Sequence, residues 1–325
     1  MTRDSPVGEF RAYGLCERIG SRASMEDAVL LMPCLKSVDE PDCVQAVFGV
    51  FDGHGGCESA KFVSYTLPEL ISAHSTRYSD LNTALSECYV RTDELLDAHL
   101  EAHHRNTKEF TSGTTGVTVV IQHRLSTNTI TVTCANVGDS RCVLVKSDGV
   151  SVPLSYDHSP SQPEEAIRIE LAGGFITQSG VGSECARVLG SLAVSRALGD
   201  FDFKLPRVQD WGTKASPIVA DLVLNKPDIQ HREINLEFDL ALVLACDGIW
   251  NVFTQKEIGP FIVSSFQKLR DIYGKKCSKA HQCELVSTAV VELALARGST
   301  DNCTCVVVLL TPEPPSKKST VCNIM

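Results

Sequence analysis

The sequence lacks any apolar stretch long enough to cross a membrane. Among its 325 residues, no run approaches the roughly 18 consecutive apolar residues that a transmembrane helix needs. The first residues, Met1 to Asp4, also lack the apolar core of a secretory signal. We therefore expect a cytoplasmic protein without a spanning segment.

Positive charge is in short supply as well. The chain carries 30 basic and 40 acidic residues, which gives a formal net charge of -10. Because an acidic surface repels phosphate backbones, we expect no nucleic-acid partner. The same surface attracts cations, which any anionic ligand of this chain would need as counter-charges.

A regular cysteine framework is missing, although the chain has 14 cysteines. The cysteines are scattered, and several, such as Cys134 and Cys246, lie inside apolar runs. This pattern indicates free thiols in a reducing compartment rather than a disulfide scaffold.

Two common catalytic motifs are also absent. Without Gly-x-x-x-x-Gly-Lys, the chain does not fit a P-loop kinase or nucleotidase. His54-Gly55-Gly56 is similar to the oxyanion loop of esterases. The chain has no Gly-x-Ser-x-Gly elbow, however, so it does not fit an acyl hydrolase.

The chain does contain alternating strand-like and helix-like blocks. Short β-branched apolar runs predict strands at 44–51, 117–122, 129–133, 141–145, 240–246 and 303–310. Helical spacing predicts helices at 81–104, 164–172, 257–269 and 284–297. Residues 201–227 contain prolines and are weakly periodic, which predicts an irregular surface excursion. We expect one domain at 9–311 with a mixed α/β or α+β sandwich fold, an N-terminal tail at 1–8 and a flexible tail at 312–325.

The main chemical signal is a set of carboxylates at strand ends. Asp52 and Asp247 each follow an apolar strand, and Asp301 precedes another. In an antiparallel sheet the end of one strand lies beside the start of its neighbour, so the three could converge on one sheet edge. Clustered carboxylates repel one another and need a cation. A site made only of oxygen ligands suits Mg²⁺ or Mn²⁺.

Further acidic residues extend this pattern. Asp139 lies in a predicted turn, and Glu26 and Asp27 precede an apolar run. Two ions about 3.5–4 Å apart, bridged by one carboxylate, form a water-activating centre. Asp52 is the natural bridge, with the Gly53 carbonyl in reach of the same metal. A single Asp-Gly pair is most often only a turn.

The interpretation therefore depends on these acids occurring together with Arg22, His54 and other segments in a fixed order. Seven segments resemble the motifs of the type 2C metal-dependent protein phosphatases: 22–27 (RASMED), 52–56 (DGHGG), 112–115 (SGTT), 136–141 (NVGDSR), 190–200 (GSLAVSRALGD), 247–250 (DGIW) and 301–302 (DN). They occur in family order over nearly the whole chain.

This resemblance implies a fold and a set of metal ligands. The fold would be two packed antiparallel β-sheets flanked by helices on both outer faces, an α/β/β/α sandwich. Asp52 would bridge two Mg²⁺ or Mn²⁺ ions, with the Gly53 carbonyl beside it. Asp247 and Asp301 would hold one ion. Glu26 would hold the other, with Asp27 nearby.

The resemblance also implies a reaction. Arg22 would bind the substrate phosphate, and His54 would protonate the leaving alkoxide. A hydroxide bridging the two ions would attack the phosphate of phosphoserine or phosphothreonine in a protein substrate. Residues 201–227 would form a variable flap beside the site.

Three positions depart from the family pattern. Asn251 replaces a usual Asp, Leu189 replaces a common Asn, and Ser159 replaces a usual Lys. In the family, the position of Asp139 helps to hold a weaker third ion. Asn251 in place of Asp lowers the negative charge near Asp139, so it stays open whether a third ion binds.

The last four residues, Cys322-Asn323-Ile324-Met325, match the prenylation pattern Cys-a-a-X, in which Met favours farnesyl. Thr2 cannot be myristoylated, and one lipid beside Lys317 and Lys318 supports only weak, reversible membrane association. We expect partial membrane association through a prenylated Cys322.

Two other metal patterns are weaker, and two functional alternatives stay open. His99 and His103 have i, i+4 spacing, but Glu101 is one place late for a zincin, so the pattern favours a solvated helix face over a zinc site. Cys277, His281 and Cys283 lack a fourth ligand nearby. A catalytically inactive binding module is one alternative, and hydrolysis of small phosphate esters is the other. The sequence does not indicate an oligomeric state.

Overall fold

The computed structural model describes residues 12–36, 42–74, 80–103, 112–178, 186–213 and 217–310. The predicted tails at 1–8 and 312–325 lie outside these ranges, and so does Cys322. The domain boundaries at 9 and 311 therefore stay predictions.

The described chain contains short strands and a few long helices. In its first half these are β1 (Tyr13–Arg18), β2 (Ala28–Lys36), β3 (Cys43–Phe51), β4 (Gly53–His54), α1 (Glu58–His74), α2 (Leu81–His103), β5 (Gly113–Thr114), β6 (Gly116–Arg124), β7 (Thr129–Val137), β8 (Arg141–Lys146) and β9 (Ser151–Pro153).

In the second half the elements are α3 (Pro163–Leu171), β10 (Ile176–Gln178), β11 (Ala186–Val188), β12 (Leu198–Gly199), β13 (Asp228–Ile234), β14 (Asp239–Ala245), α4 (Asp247–Trp250), α5 (Gln255–Tyr273), α6 (Lys279–Ala296) and β15 (Cys303–Leu309). Short 3-10 helices occupy Phe201–Phe203, Arg207–Trp211 and Gly274–Lys276.

Two five-stranded antiparallel sheets form the centre of the molecule. Their strand orders are β1-β15-β14-β8-β9 for the first sheet and β13-β7-β6-β3-β2 for the second sheet. Helices α5 and α6 pack on the first sheet, and α1 and α2 pack on the second. This is the predicted α+β sandwich with helices on both outer faces.

Burial on both faces explains why the central strands are continuous apolar runs. Every residue of β3 is buried. Alternate side chains of a strand point to opposite faces. Ala46, Phe48 and Val50 pack in the core that joins the two sheets. Val47 and Phe51 pack in the second core, beneath α1 and α2.

The predicted strands and helices all form, with ends shifted by a few residues. Helix α1 was not predicted, and it contains Pro68 in its interior. Helix α5 starts at a capping box in which Thr254 and Glu257 satisfy each other's backbone N–H groups. Among the described residues, none of the helices is long and apolar enough to cross a membrane.

Candidate active site

The predicted metal ligands meet in a cleft where the ends of the two sheets approach each other. Asp52 follows β3 of the second sheet. Asp247 follows β14 of the first sheet, and Asp301 precedes its neighbour β15. The expectation that all three would share one sheet edge is therefore wrong for Asp52. The site forms between two sheets because each sheet contributes carboxylates from the same end of the sandwich.

The remaining predicted acids reach the cleft from loops between strands. Glu26 precedes β2, and Asp139 lies in the turn by which the chain passes from β7 in the second sheet to β8 in the first. Glu26 accepts hydrogen bonds from the Ser24 hydroxyl at 2.8 Å and from the Gly56 N–H at 3.0 Å. Glu26 and Asp139 line the same cleft as Asp52, Asp247 and Asp301.

Asn302 fixes the loop that carries Glu26 against the start of β15. Its side-chain oxygen accepts a hydrogen bond from the Glu26 N–H at 2.8 Å. Its amide nitrogen donates to the carbonyls of Ile19 and Ser24 at 2.9 and 3.0 Å. Asn302 was part of a recognised motif, but sequence reasoning gave it no role.

The carboxylates are electrostatically destabilised without cations. Burial and the neighbouring Asp247 charge raise the pKa of Asp52 well above its usual range. Burial, together with Asp247, raises the pKa of Asp139 to about 7. Burial and Asp301 raise the pKa of Asp247. Positive charge placed among these groups would restore their ionised forms.

Asp27 lies deeper than the other acids. It is 5% exposed, and its Oδ2 accepts a hydrogen bond from the Thr304 hydroxyl at 2.6 Å. Burial is the main cause that raises its pKa to about 6. Its Oδ1 is buried and has no hydrogen-bond partner among the described residues. An unsatisfied buried carboxylate oxygen on a residue close to Asp52 fits a site that receives cations or their water ligands.

A thiol also lies beside Asp27 and Asp52. Ligand atoms of Asp27, Asp52 and Cys246 all lie within 4.8 Å of one another. Burial raises the pKa of Cys246 well above its usual range. The neutral thiol contacts the Asn302 carbonyl oxygen at 3.3 Å. Because a thiolate is disfavoured here, the available ligands are oxygens, as Mg²⁺ and Mn²⁺ prefer.

Arg22 lies at the mouth of the cleft. Its Nη2 donates to Asp301 Oδ2 at 2.5 Å, and its side chain is 59% exposed. The guanidinium therefore contacts a predicted metal ligand and is also accessible from solvent. A substrate phosphate entering the cleft would meet it there.

His54 contacts a buried carboxylate that sequence reasoning did not identify as functional. Its Nε2 lies 2.8 Å from both side-chain oxygens of Asp200. Burial alone would lower the pKa of His54, but the Asp200 charge and hydrogen bond raise it above its ordinary value. The imidazole is therefore stabilised in its protonated form.

A small three-stranded sheet, β12-β5-β4, brings His54 and Asp200 together. His54 pairs with Gly113 in β5, and Gly113 pairs with Gly199 in β12, directly before Asp200. A Cβ atom on Gly113 would lie 2.2 Å from Asp200 Oδ2, so only glycine leaves room for this carboxylate. Asp200 adopts the left-handed conformation with φ 52°. It is 2% exposed.

The cleft has a volume of about 850 Å³. Arg187 of β11, Phe203 and Trp211 also line it. The Arg187 guanidinium donates to the Ser191 carbonyl at 2.5 Å. Phe203 and Trp211 belong to the predicted flap, whose described part borders the cleft and contains two 3-10 helices.

The departures from the family pattern have visible local consequences. Asn251 donates its amide N–H to Asp247 Oδ2 at 3.2 Å, where a carboxylate would add a ligand instead. Leu189 has φ 49°, a conformation that Asn tolerates better than Leu. Cys277, His281 and Cys283 do not form a metal-ligand cluster among the described residues.

Comparisons with known proteins agree with this geometry. The family model of protein phosphatase 2C matches residues 11–303. "Probable protein phosphatase 2C 22" of Arabidopsis thaliana is 33% identical over 306 residues, which cover 93% of this chain and 69% of that protein. "Protein phosphatase 2C homolog 2" of Saccharomyces cerevisiae is 35% identical over 256 residues, which cover 78% of this chain and 49% of that protein. This chain thus spans about half the length of the yeast relative.

Solved structures share the fold. A sex-determining protein of C. elegans has a TM-score of 0.69 and 25% identity, covering 92% of this chain and 65% of that one. Serine-threonine phosphatase 2C from Toxoplasma gondii has a TM-score of 0.67 and 23% identity, covering 91% of this chain and 94% of that one. The fold, the relatives and the matched family model together place this chain in the protein phosphatase 2C family, a family of metal-dependent protein serine/threonine phosphatases, as the sequence predicted.

Proposed function

We propose that this chain hydrolyses phosphoserine and phosphothreonine in proteins with two divalent ions, Mg²⁺ or Mn²⁺, in the cleft. The observation that carries the proposal is the meeting of carboxylates from both sheets beside Arg22 and His54. The raised pKa values of Asp52, Asp139 and Asp247 indicate a shortage of positive charge, and the carboxylate oxygens suit hard divalent ions.

Five of the carboxylates have a proposed place in this centre. Asp52, between the two sheets, would contact both ions, and the Gly53 carbonyl lies next to it. Asp247 and Asp301 would hold one ion, and Glu26 would hold the other. Asp27, which is more deeply buried than the other acids, would contact the ions or their water ligands. When bound, the ions would supply Lewis acidity that makes a water molecule nucleophilic near neutral pH.

Arg22 is proposed to bind the substrate phosphate. A guanidinium presents parallel N–H donors that match two phosphate oxygens. Arg22 is largely exposed, and among the described residues its guanidinium contacts Asp301, so it can turn towards a ligand in the cleft. Arg187, which also lines the cleft, would add a second positive charge for the phosphorylated segment of the substrate.

His54 is proposed to protonate the leaving oxygen of serine or threonine. An alkoxide is a poor leaving group, so a nearby acid contributes most when the substrate is an alkyl phosphate. Asp200 would keep the imidazole protonated and oriented through its two contacts of 2.8 Å. Asp200 is a positioning residue in this scheme, because it acts through His54.

The two alternatives make different predictions for this site. A binding module without turnover would bind a phosphopeptide but release no phosphate. An enzyme for small phosphate esters would hydrolyse them at least as well as phosphopeptides. Besides the carboxylates, Phe203 and Trp211 line the cleft of about 850 Å³, and this additional surface favours a peptide-borne phosphate over a small ester.

The test is phosphate release from a phosphothreonine peptide by the full chain. We expect activity with Mg²⁺ or Mn²⁺, loss of activity in EDTA, and recovery when excess Mn²⁺ is added back. Full activity in EDTA would contradict the metal-dependent mechanism. Binding of the peptide without phosphate release, with Mn²⁺ present, would favour the inactive module.

A further inference from the structure

A second cluster of metal-ligating side chains lies outside the active-site cleft. It joins the first turn of α1 to the last turn of α2. A carboxylate oxygen of Glu58 and ring nitrogens of His99 and His103 all lie within 4.8 Å of one another. None of the three lines the active-site cleft. We propose that Glu58, His99 and His103 form a surface site for a transition-metal ion of the zinc class.

The helical geometry places the three ligands on facing surfaces. His99 and His103 are four residues apart on α2, so they project from the same side of the helix. Their rings are 4.2 Å apart. On α1, Phe62 lies four residues after Glu58, and its ring packs 4.7 Å from His99. The packing of Phe62 holds His99 against α1 and keeps its Nε2 beside Glu58.

The distance between His99 and Glu58 matches that of two ligands of one ion. His99 Nε2 lies 3.1 Å from Glu58 Oε1. Zinc binds nitrogen and oxygen ligands at about 2.0–2.2 Å, which separates two tetrahedral ligands by roughly 3.4 Å. An ion can therefore replace the proton between these atoms after a small adjustment. Binding would release that proton.

The second histidine already has a tautomer suited to a metal. His103 Nδ1 lies 2.7 Å from the backbone carbonyl oxygen of His99. A carbonyl can only accept, so Nδ1 carries the proton and Nε2 keeps its lone pair. Metal-ligating histidines commonly donate their other N–H in this way. His103 is exposed on the last turn of α2, so its ring is accessible to an ion from solvent.

The ligand types separate this site from the catalytic one. Two imidazoles and one carboxylate favour Zn²⁺ over Mg²⁺ or Mn²⁺, which prefer oxygens. Glu58 comes from α1, which sequence reasoning did not predict. In the sequence alone, Glu101 was therefore the third ligand considered for the i, i+4 histidine pair, and its spacing does not fit.

An ion here would also restrain the segment that directly follows the active-site loop at 52–56. Helix α1 begins directly after Cys57, and Gly56 donates its N–H to Glu26 in the active site. Fixing the first turn of α1 to α2 would restrain the start of this helix. We therefore expect bound zinc to raise the melting temperature of the protein as well as to occupy the site.

The test is zinc titration of the full chain by calorimetry in saturating Mg²⁺, with thiols alkylated so that cysteines do not compete. We expect one zinc ion per chain in the wild type. Loss of outer-sphere partners typically weakens metal binding by roughly 10- to 100-fold. His99→Gln and His103→Gln each remove a direct ligand and should weaken binding by at least that factor. Glu58→Gln keeps the shape but loses the charge, and it should also weaken binding.

A matched control is His281→Gln. His281 Nδ1 contacts Glu284 at 3.0 Å in an exposed helical pair that has no third ligand among the described residues. This variant should bind zinc like the wild type. Co²⁺ bound to the wild type should give a visible absorption band from nitrogen ligation, and His99→Gln should lose it. Equal zinc affinity in wild type and His99→Gln, or no zinc beyond that displacing Mg²⁺, would overturn the proposal. Mg²⁺-dependent phosphatase activity should be unchanged in all four variants, which shows that they are folded.

Discussion

Replacing Asp200 by Asn tests whether this buried carboxylate supports His54 as the general acid. Asn has the same shape and can still accept one hydrogen bond from His54 Nε2, but it has no negative charge. A hydrogen bond to a charged group contributes about 1.5–3 kcal/mol, and one between neutral groups contributes about 0.5–1.5 kcal/mol. Asp200 is 2% exposed, so solvent screens the lost charge only weakly.

The expected loss of about 1–2 kcal/mol corresponds to a roughly 5- to 30-fold lower kcat on a phosphothreonine peptide. KM should stay nearly constant, since Asp200 does not contact the phosphate in the proposed scheme. The loss should be smaller on an aryl phosphate, whose leaving group hardly needs an acid. Steady-state kinetics on both substrates, with Mn²⁺ saturating, measures this difference.

A double variant separates positioning from a general structural effect. If Asp200 acts through His54, adding Asp200→Asn to His54→Gln should lower kcat little beyond the single His54→Gln change. Equal losses on aryl and alkyl phosphates would refute the reasoning. Fully additive losses in the double variant would refute it as well. The melting temperature of each variant shows whether a loss reflects unfolding.

Further expectations concern the metal ligands, the phosphate contact and the C-terminus. Asp52→Ala removes the proposed bridge and should lower kcat at least about 10³-fold, the scale of a principal electrostatic stabiliser; a loss below tenfold would place the centre elsewhere. Arg22→Ala should mainly raise KM for the phosphopeptide, because the phosphate loses its bidentate partner, whereas a loss in kcat alone would contradict that role. In EDTA the free energy of unfolding should fall as the pH rises from 5 to 8. The pKa is raised to about 6 for Asp27 and to about 7 for Asp139, so the folded state holds these protons more tightly than the unfolded state and is destabilised when they are lost. The gain in melting temperature on adding Mn²⁺ should accordingly be larger at pH 8 than at pH 5, and an equal gain at both would argue against ions at these acids. Cys322→Ser should move the protein from a membrane fraction to the cytosol, and mass spectrometry showing an unmodified C-terminus in native cells would end that proposal.

The sequence predicted the strands well because strands buried on both faces appear as unbroken apolar runs. Residues 44–51 and 303–310 are of this kind, and both form central strands. Helix α1 was missed because Pro68 interrupts its helical pattern, and proline is strongly disfavoured inside helices. The helix forms nonetheless, because Val63, Leu67 and Ile71 bury one face of it against the second sheet.

Residue types and their order were enough to identify the family and to name the candidate metal ligands, since Asp-Gly turns at strand ends and an accompanying arginine and histidine are local features. The sequence could not show that Asp52 and Asp247 belong to different sheets, because sheet membership depends on pairing between distant strands. It could not pair His54 with Asp200, which are 146 positions apart and meet only through the small β12-β5-β4 sheet. Nor could the sequence predict that Glu58 lies beside His99 and His103, because that contact depends on the packing of two helices against the same sheet. The chemistry of each side chain was thus determined locally, and the partners of each side chain were decided by the tertiary structure.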